Sequence, residues 1–235
     1  MTRMSKVLIT GASRGLGLNL VIRYLEKGET VFACYREKRC ISALSSLKQK
    51  YKDRLFLIKL DVTDEKEISR AARIISKTTS SIDILINNAG VIFRNESIAD
   101  LSAKNSRDSF AVNSIGPMLM VKHFIKFLKC SKNPKIINIS SISGSISRVS
   151  GFGGLYSYKA SKAALNMFSR LLSHELMKHG ISMIILDPGL VKTRMNPGAS
   201  DSPAKTASKI ISAIENPGIK DSGKFITLDS KECPW

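Results

Sequence analysis

A tyrosine and a lysine stand four residues apart in the run Tyr158-Lys159-Ala160-Ser161-Lys162. On a helix that spacing is about one turn, so both side chains leave from the same face. A free phenol titrates near ~10 and an ammonium near ~10.4. A positive charge fixed beside the phenol favours the phenolate and lowers its pKa, and each unit of that change is about 1.4 kcal/mol. A phenol tuned in this way can give a proton to a carbonyl oxygen or take one from an alcohol. Taken alone, the pair could be two polar neighbours on a helix surface. The rest of the chain decides between the two.

Near the other end, the β-branched run Val7-Leu8-Ile9-Thr10 leads straight into Gly11-Ala12-Ser13-Arg14-Gly15-Leu16-Gly17. Leu18 to Leu25 then reads as a helix that stops at Gly28. Strand, glycine-rich turn and helix together form the context of a dinucleotide site. Gly11 allows the tight turn, Gly15 lets backbone approach a pyrophosphate, and Gly17 permits close helix–strand packing. The helix start then offers free N–H groups and the positive end of its dipole to phosphate. The spacing is Gly-x-x-x-Gly-x-Gly rather than the commoner Gly-x-Gly-x-x-Gly.

Strands and helices alternate along the rest of the chain. Strands are expected over 30–35, 55–60, 82–86, 135–139, 181–186 and 225–228. Helices are expected over 37–50, from Asp64 onward, over 106–129 and 156–178, and again from Pro203. Asp64 reads as an N-cap, with Glu67 as its capping-box partner. This alternation predicts one α/β domain over 1–235: a doubly wound, mostly parallel, seven-stranded Rossmann sheet with helices on both faces. Ligands bind such sheets at the carboxyl ends of the strands, and each motif follows a strand or lies in the helix after one.

Thr10 to Gly17, Asn87-Asn88-Ala89-Gly90, Ser141, Tyr158-x-x-x-Lys162 and Pro188-Gly189 together resemble the short-chain dehydrogenase/reductase family, in the family's order and over nearly the whole chain. The run Gly154 to Asn166, the segment Pro188 to Thr193 and the terminal Pro234-Trp235 are similar to the sniffer and C-factor branch of carbonyl reductases. The resemblance implies a catalytic set of Asn113, Ser141, Tyr158 and Lys162. Tyr158 would be the acid/base, with Lys162 lowering its pKa and binding the nicotinamide ribose. Ser141 would polarise the carbonyl, chosen over Ser140, Ser143 and Ser145 because Gly144 follows it by three. Asn113 would hold a proton-relay water. The gap between Ser141 and Tyr158 is longer than the commonest family spacing, with the extra residues near 148–154.

The implied cofactor contacts continue along the chain. Gly11, Ser13, Arg14, Gly15, Leu16 and Gly17 would hold the pyrophosphate end. Asp61 and Val62 would meet the adenine, and Asn87, Ala89 and Gly90 would line the cofactor. Pro188 and Gly189, at the end of the sixth strand, would also bind the cofactor, and Thr193 would contact the carboxamide, with Leu190 or Val191 against the ring. Where an acid would bind the ribose hydroxyls of NAD, this chain has Tyr35 and then Arg36. Arg14 and Arg36 can hold a 2′-phosphate, so the resemblance implies NADP(H) in preference to NAD(H), with Glu37 as a possible repulsion. Phe93, Phe152, Leu155 and Met195 are candidate apolar walls for the substrate.

The expected activity is NADPH-dependent reduction of a ketone or aldehyde to an alcohol. The alternative is a C-factor-like signalling protein that binds NAD(P) in the same site. Composition narrows the rest. At 235 residues the chain is long enough for one sizeable core. It has no apolar run of bilayer length, and no secretory leader is expected. Cys34, Cys40, Cys130 and Cys233 lack metal-ligand spacing and read as free thiols of a cytoplasmic protein. The three histidines suggest no metal role, and no metal is expected. The net charge of +18 raises nucleic-acid binding, but the basic residues are spread along the chain and no nucleic-acid motif accompanies them. The expected partners are a small carbonyl or alcohol substrate and further copies of the chain, as a homodimer or homotetramer, with neither nucleic acid nor membrane.

Overall fold

Unbroken apolar runs become strands here because both of their faces are covered by helices. The computed structural model describes residues 4–38, 41–149 and 154–235. The strands are β1 (Lys6–Ile9), β2 (Thr30–Tyr35), β3 (Leu55–Lys59), β4 (Ile84–Asn87), β5 (Lys135–Ile139), β6 (Ser182–Leu186) and β7 (Phe225–Ile226). The helices are α1 (Gly15–Glu26), α2 (Ser42–Tyr51), α3 (Glu65–Ser76), α4 (Ala103–Phe110), α5 (Gly116–Lys129), α6 (Tyr156–Met177) and α7 (Pro203–Glu215). The strands form one sheet in the order β3-β2-β1-β4-β5-β6-β7. Every neighbouring pair of these strands is parallel, so the sheet expected to be mostly parallel is wholly so among the described residues.

Side-chain alternation sorts the core into two layers. Val7 and Ile9 of β1 pack with Leu20, Val21, Ile210 and Ile214 on the α1 and α7 face. Leu8, between them, points the other way and joins Ile68, Phe124 and Leu176 from α3, α5 and α6. Each fully buried side chain of this size contributes about 1.5–3 kcal/mol. Winding runs outward from β1 to β3, then restarts at β4 on the other side of β1. A crevice opens at the carboxyl ends of the strands at such a switch point.

Local departures from the expected elements have local causes. The helix expected from Glu37 starts at Ser42, just before Leu44, its one buried residue. Asp64 caps α3 as expected, its Oδ1 accepting from Lys66 N at 2.8 Å and Glu67 N at 3.2 Å. The reciprocal half of the capping box is not made. Glu67 instead accepts from Asp61 N at 2.8 Å and from Lys59 Nζ at 2.9 Å, tying the end of β3 to the helix. The helix expected over 106–129 begins earlier, where Ser102 Oγ accepts from Asn105 N. It is interrupted by a π turn over Ala111–Ile115 before α5. No helix among the described residues is long and apolar enough to cross a membrane.

Candidate active site

The glycine turn after β1 is backbone packed on backbone. A Cβ on Gly17 would lie 2.3 Å from the Gly11 carbonyl oxygen, and one on Gly11 would lie 2.9 Å from Ala89 Cα. Gly11 also has φ +64°, a left-handed conformation that side chains rarely adopt. Asn88 fixes the turn from below, its Nδ2 donating to Thr10 O at 2.9 Å and Gly11 O at 3.2 Å. Thr10 Oγ1 in return accepts from Asn88 N at 3.0 Å and Ala89 N at 3.1 Å. The start of α1 has no side-chain cap, so its first N–H groups remain available to an anion.

The second half of the site is carried by α6. Its first turn is capped from a distant loop: Glu96 Oε2 accepts from Ser157 N at 2.9 Å and Oε1 from Ser157 Oγ at 2.5 Å. One turn in, Tyr158 and Lys162 both face the same cavity as Ser141. Gly144 explains how Ser141 reaches them. A Cβ on Gly144 would sit 2.7 Å from the Lys162 carbonyl carbon, so the turn bearing Ser141 lies directly against α6. Lys162 Nζ donates to Ile139 O at 2.7 Å and lies 5.9 Å from the Tyr158 ring centroid.

Burial sets the proton affinities. It pushes the Lys162 ammonium down to about 8. It also pushes the Tyr158 phenol above its usual value; a hydrogen bond from Ser141 opposes this, Asp187 adds to it, and Arg94 opposes it. The phenol lowered by lysine, expected from the spacing alone, is therefore corrected. In this arrangement the cost of burying a phenolate outweighs the hydrogen bond from Ser141 and the charge of Arg94.

A cavity of about 920 Å3 joins the two halves. From the β1 turn it is lined by Gly11, Ser13, Arg14, Gly15, Leu16 and Gly17. Arg36 follows β2, Asp61 and Val62 follow β3, and Ala89 and Gly90 follow β4. Pro188, Gly189, Val191 and Thr193 close it after β6. Of the expected apolar walls, Phe93, Leu155 and Met195 line it, while Phe152 lies outside the described residues, as does Cys40.

Two expected site residues lie behind the wall. Asn87 is buried in β4, where its Nδ2 donates to Asn138 Oδ1 at 2.8 Å. Asn113 is fully buried in the π turn. Its Oδ1 accepts from Val91 N at 2.9 Å, and its Nδ2 donates to Val91 O and to Ser161 Oγ, both at 2.9 Å. Asn113 thereby locks the loop after β4 to α6. Of the serines around Ser141, Ser140 donates to Asn166 Oδ1 at 2.6 Å and Ser145 pairs with Ser147. Ser143 gives its backbone N–H to Ser141 Oγ at 3.1 Å, which holds that hydroxyl in place.

The donor set fits a dinucleotide phosphate: a cradle that a single Cβ would fill, an uncapped helix start, and Arg14 and Arg36 on the rim. Comparison with known proteins agrees. Residues 5–204 match the family described as short chain dehydrogenase. The chain belongs to the short-chain dehydrogenase family. An NADPH-bound carbonyl reductase from chicken fatty liver is similar in structure, with a TM-score of 0.91 and 34% identity over 99% of this chain and 100% of that one. The carbonyl reductase Sniffer of D. melanogaster superposes with a TM-score of 0.93 at 28% identity, over 99% of this chain and 100% of its own. An NADPH-dependent pterin aldehyde reductase of Arabidopsis thaliana is 30% identical over 94% of this chain and 92% of its own length.

Three residues that line this short-chain dehydrogenase's cavity were not among the expected site residues. Asn88, rather than Asn87, lines it and braces the glycine turn. Strand alternation puts the two on opposite faces, but does not say which face meets the turn. Arg94 and Arg194 also line it, on irregular loops where no periodicity marks them.

Proposed function

We propose that this short-chain dehydrogenase reduces a ketone or aldehyde with NADPH, using Tyr158 as proton donor. The observation that carries the reading is one cavity with the glycine cradle at one end and Ser141, Tyr158 and Lys162 at the other. When bound there, a nicotinamide dinucleotide supplies a hydride to the carbonyl carbon. The chain's own residues do the rest. Ser141 donates a hydrogen bond to the substrate oxygen and stabilises its developing negative charge. Tyr158 delivers a proton to that oxygen, and its raised pKa keeps it protonated at neutral pH, as reduction requires. Lys162 holds positive charge beneath the phenol and loses it near pH 8. Asn113 keeps the loop after β4 against α6.

Preference for NADPH is supported by Arg14 and Arg36 on the cavity wall, with guanidinium forks that suit a 2′-phosphate. Glu37 Oε1 pairs with Arg36 Nη2 at 3.1 Å, which softens its repulsion of a phosphate and at the same time shares the guanidinium. Exposed Met167, Phe168 and Leu171 on α6 support self-association as a dimer or tetramer.

The test is turnover of aldehydes, ketones and quinones with NADPH and NADH, for wild type and Tyr158→Phe. The expected result is NADPH-dependent reduction, lowered by about 10^3 in kcat in Tyr158→Phe with dinucleotide binding retained. Tight dinucleotide binding without turnover of any carbonyl would favour a signalling role instead.

A further inference from the structure

Resting on the reductase reading above, we propose that the carbonyl substrate is a keto acid whose carboxylate is held by Arg94, with Arg194 in support. The charges lining the cavity are sorted by position. Its acids, Glu37 and Asp61, both lie beside the ends of β2 and β3, at the cradle end. At the Tyr158 end the charged lining consists of Arg94, Arg194 and Lys162.

Arg94 is placed rather than loose. Its Nη2 donates to the Met195 carbonyl at 2.6 Å, joining the loop after β4 to the loop after β6 across the cavity. That partner is a neutral main-chain oxygen, so the contact fixes the guanidinium without neutralising it. The remaining N–H groups of the fork are left for another acceptor. Arg94 is close enough to the reacting tyrosine for its charge to favour the phenolate.

The nearby carboxylates are committed elsewhere. Glu96 is buried and takes both donors of Ser157. Asp187 accepts from the backbone N–H groups of Ile142 and Gly189, and burial raises its pKa. Neither lines the cavity. The cavity lining also includes the apolar side chains of Ile92, Phe93, Leu155 and Leu190. Arg94 is exposed, and its planar fork matches a carboxylate in two parallel charged hydrogen bonds. A substrate with its carboxylate on Arg94 would have its carbonyl within reach of Ser141 and Tyr158.

The experiment compares kcat/KM for short keto acids and for their methyl esters, with NADPH, in wild type, Arg94→Gln, Arg94→Lys and Arg194→Gln. Neutral aldehydes are run alongside. The wild type is expected to favour acid over ester roughly tenfold at low salt, through KM rather than kcat, and less so as salt rises. Arg94→Gln should abolish the acid-to-ester ratio, Arg94→Lys should keep part of it, and Arg194→Gln should lower it less. The ratio is read within each variant, so a general loss of activity does not mimic the effect, and the wild-type ratio stands even if a variant fails to fold. Turnover of aldehydes and esters without acid preference would overturn the keto-acid inference and leave the reductase reading standing. An acid preference that survives Arg94→Gln would overturn the role of Arg94. No turnover of any carbonyl would overturn the reductase reading and this inference with it.

Discussion

The two ends of the cavity are built by different means. At the cradle end the shape comes from main chain: Gly11, Gly17 and Ala89 approach so closely that a single added carbon would collide with backbone. At the Tyr158 end the shape comes from side chains on loops, with Arg94, Leu190 and Arg194 exposed there and the arginine held through one carbonyl. Backbone packing tolerates almost no substitution but carries no information about a substrate. Side chains on loops can change freely, and they set which substrate fits.

The sharpest way to break this comparison is to add one methyl group to each kind of glycine. Gly17→Ala would force Cβ to within 2.3 Å of a main-chain oxygen. Relief requires the turn or α1 to move, so thermal or denaturant unfolding should show a loss of about 3 kcal/mol, with dinucleotide binding lost in titration. Gly198 lies in the loop after β6 with nothing within 4 Å of where its Cβ would be. Gly198→Ala should stay within about 0.5 kcal/mol of wild type. Similar losses in the two variants would show that the cradle is not specially tight.

Lys162 sits where the two halves meet and yields a prediction in pH. Its folded-state pKa is lowered from 10.5 to about 8. Below about pH 8 the folded protein holds a buried charge, and its cost to stability is complete. Between there and pH 10.5 the folded state gives up the proton while the unfolded chain keeps it, so stability rises with pH. Lys162→Met removes this contribution. The unfolding free energy of wild type should therefore gain on that of the variant by about 2 kcal/mol from about pH 7 to about pH 10. A gap that stays flat with pH would mean the ammonium is better solvated than its burial implies.

Arg36 tests side-chain recognition at the cradle end, which it shares with Arg14 on the cavity wall. It is exposed and shared with Glu37 at 3.1 Å, which limits its strength. In Arg36→Gln the ratio of NADPH to NADH affinity should fall roughly tenfold, measured by fluorescence titration of both nucleotides. A ratio that does not move would shift the 2′-phosphate contact to Arg14.

How much of this was legible in the sequence follows the same division. Glycines 11, 15 and 17 announced the cradle because no other residue meets the steric demand. The strands were legible because burial on both faces leaves apolar runs, as in Val31-Phe32-Ala33-Cys34 of β2, whose bounds Thr30–Tyr35 are those expected. The π turn at Ala111–Ile115 was not legible, because hydrophobic spacing in a helix does not register one inserted residue. Nor was the choice between Asn87 and Asn88, which depends on which face of β4 meets the glycine turn. Proton affinities escape the sequence for a related reason: the spacing of Tyr158 and Lys162 gives their proximity, while burial, which reverses the direction for the phenol, belongs to the folded chain.

Glu96 is the smallest of these effects and the one that most sharpens the contrast. It lies in the same loop as Arg94, yet it is buried and its partner is a helix end. Leu155, at the N-cap of α6, has φ +58° and no capping side chain, so the first turn relies on this distant carboxylate. A negative charge at a helix start is stabilising, and so is a hydrogen bond to an open N–H. Glu96→Gln keeps an acceptor for Ser157 N but removes the charge and alters the bond to Ser157 Oγ. It should cost about 1 kcal/mol in unfolding. Because Tyr158 is the next residue, kcat should fall while dinucleotide affinity at the far end holds. Equal losses in both would mean that α6 and the cradle move as one body, and that the two ends of the cavity are less independent than their construction implies.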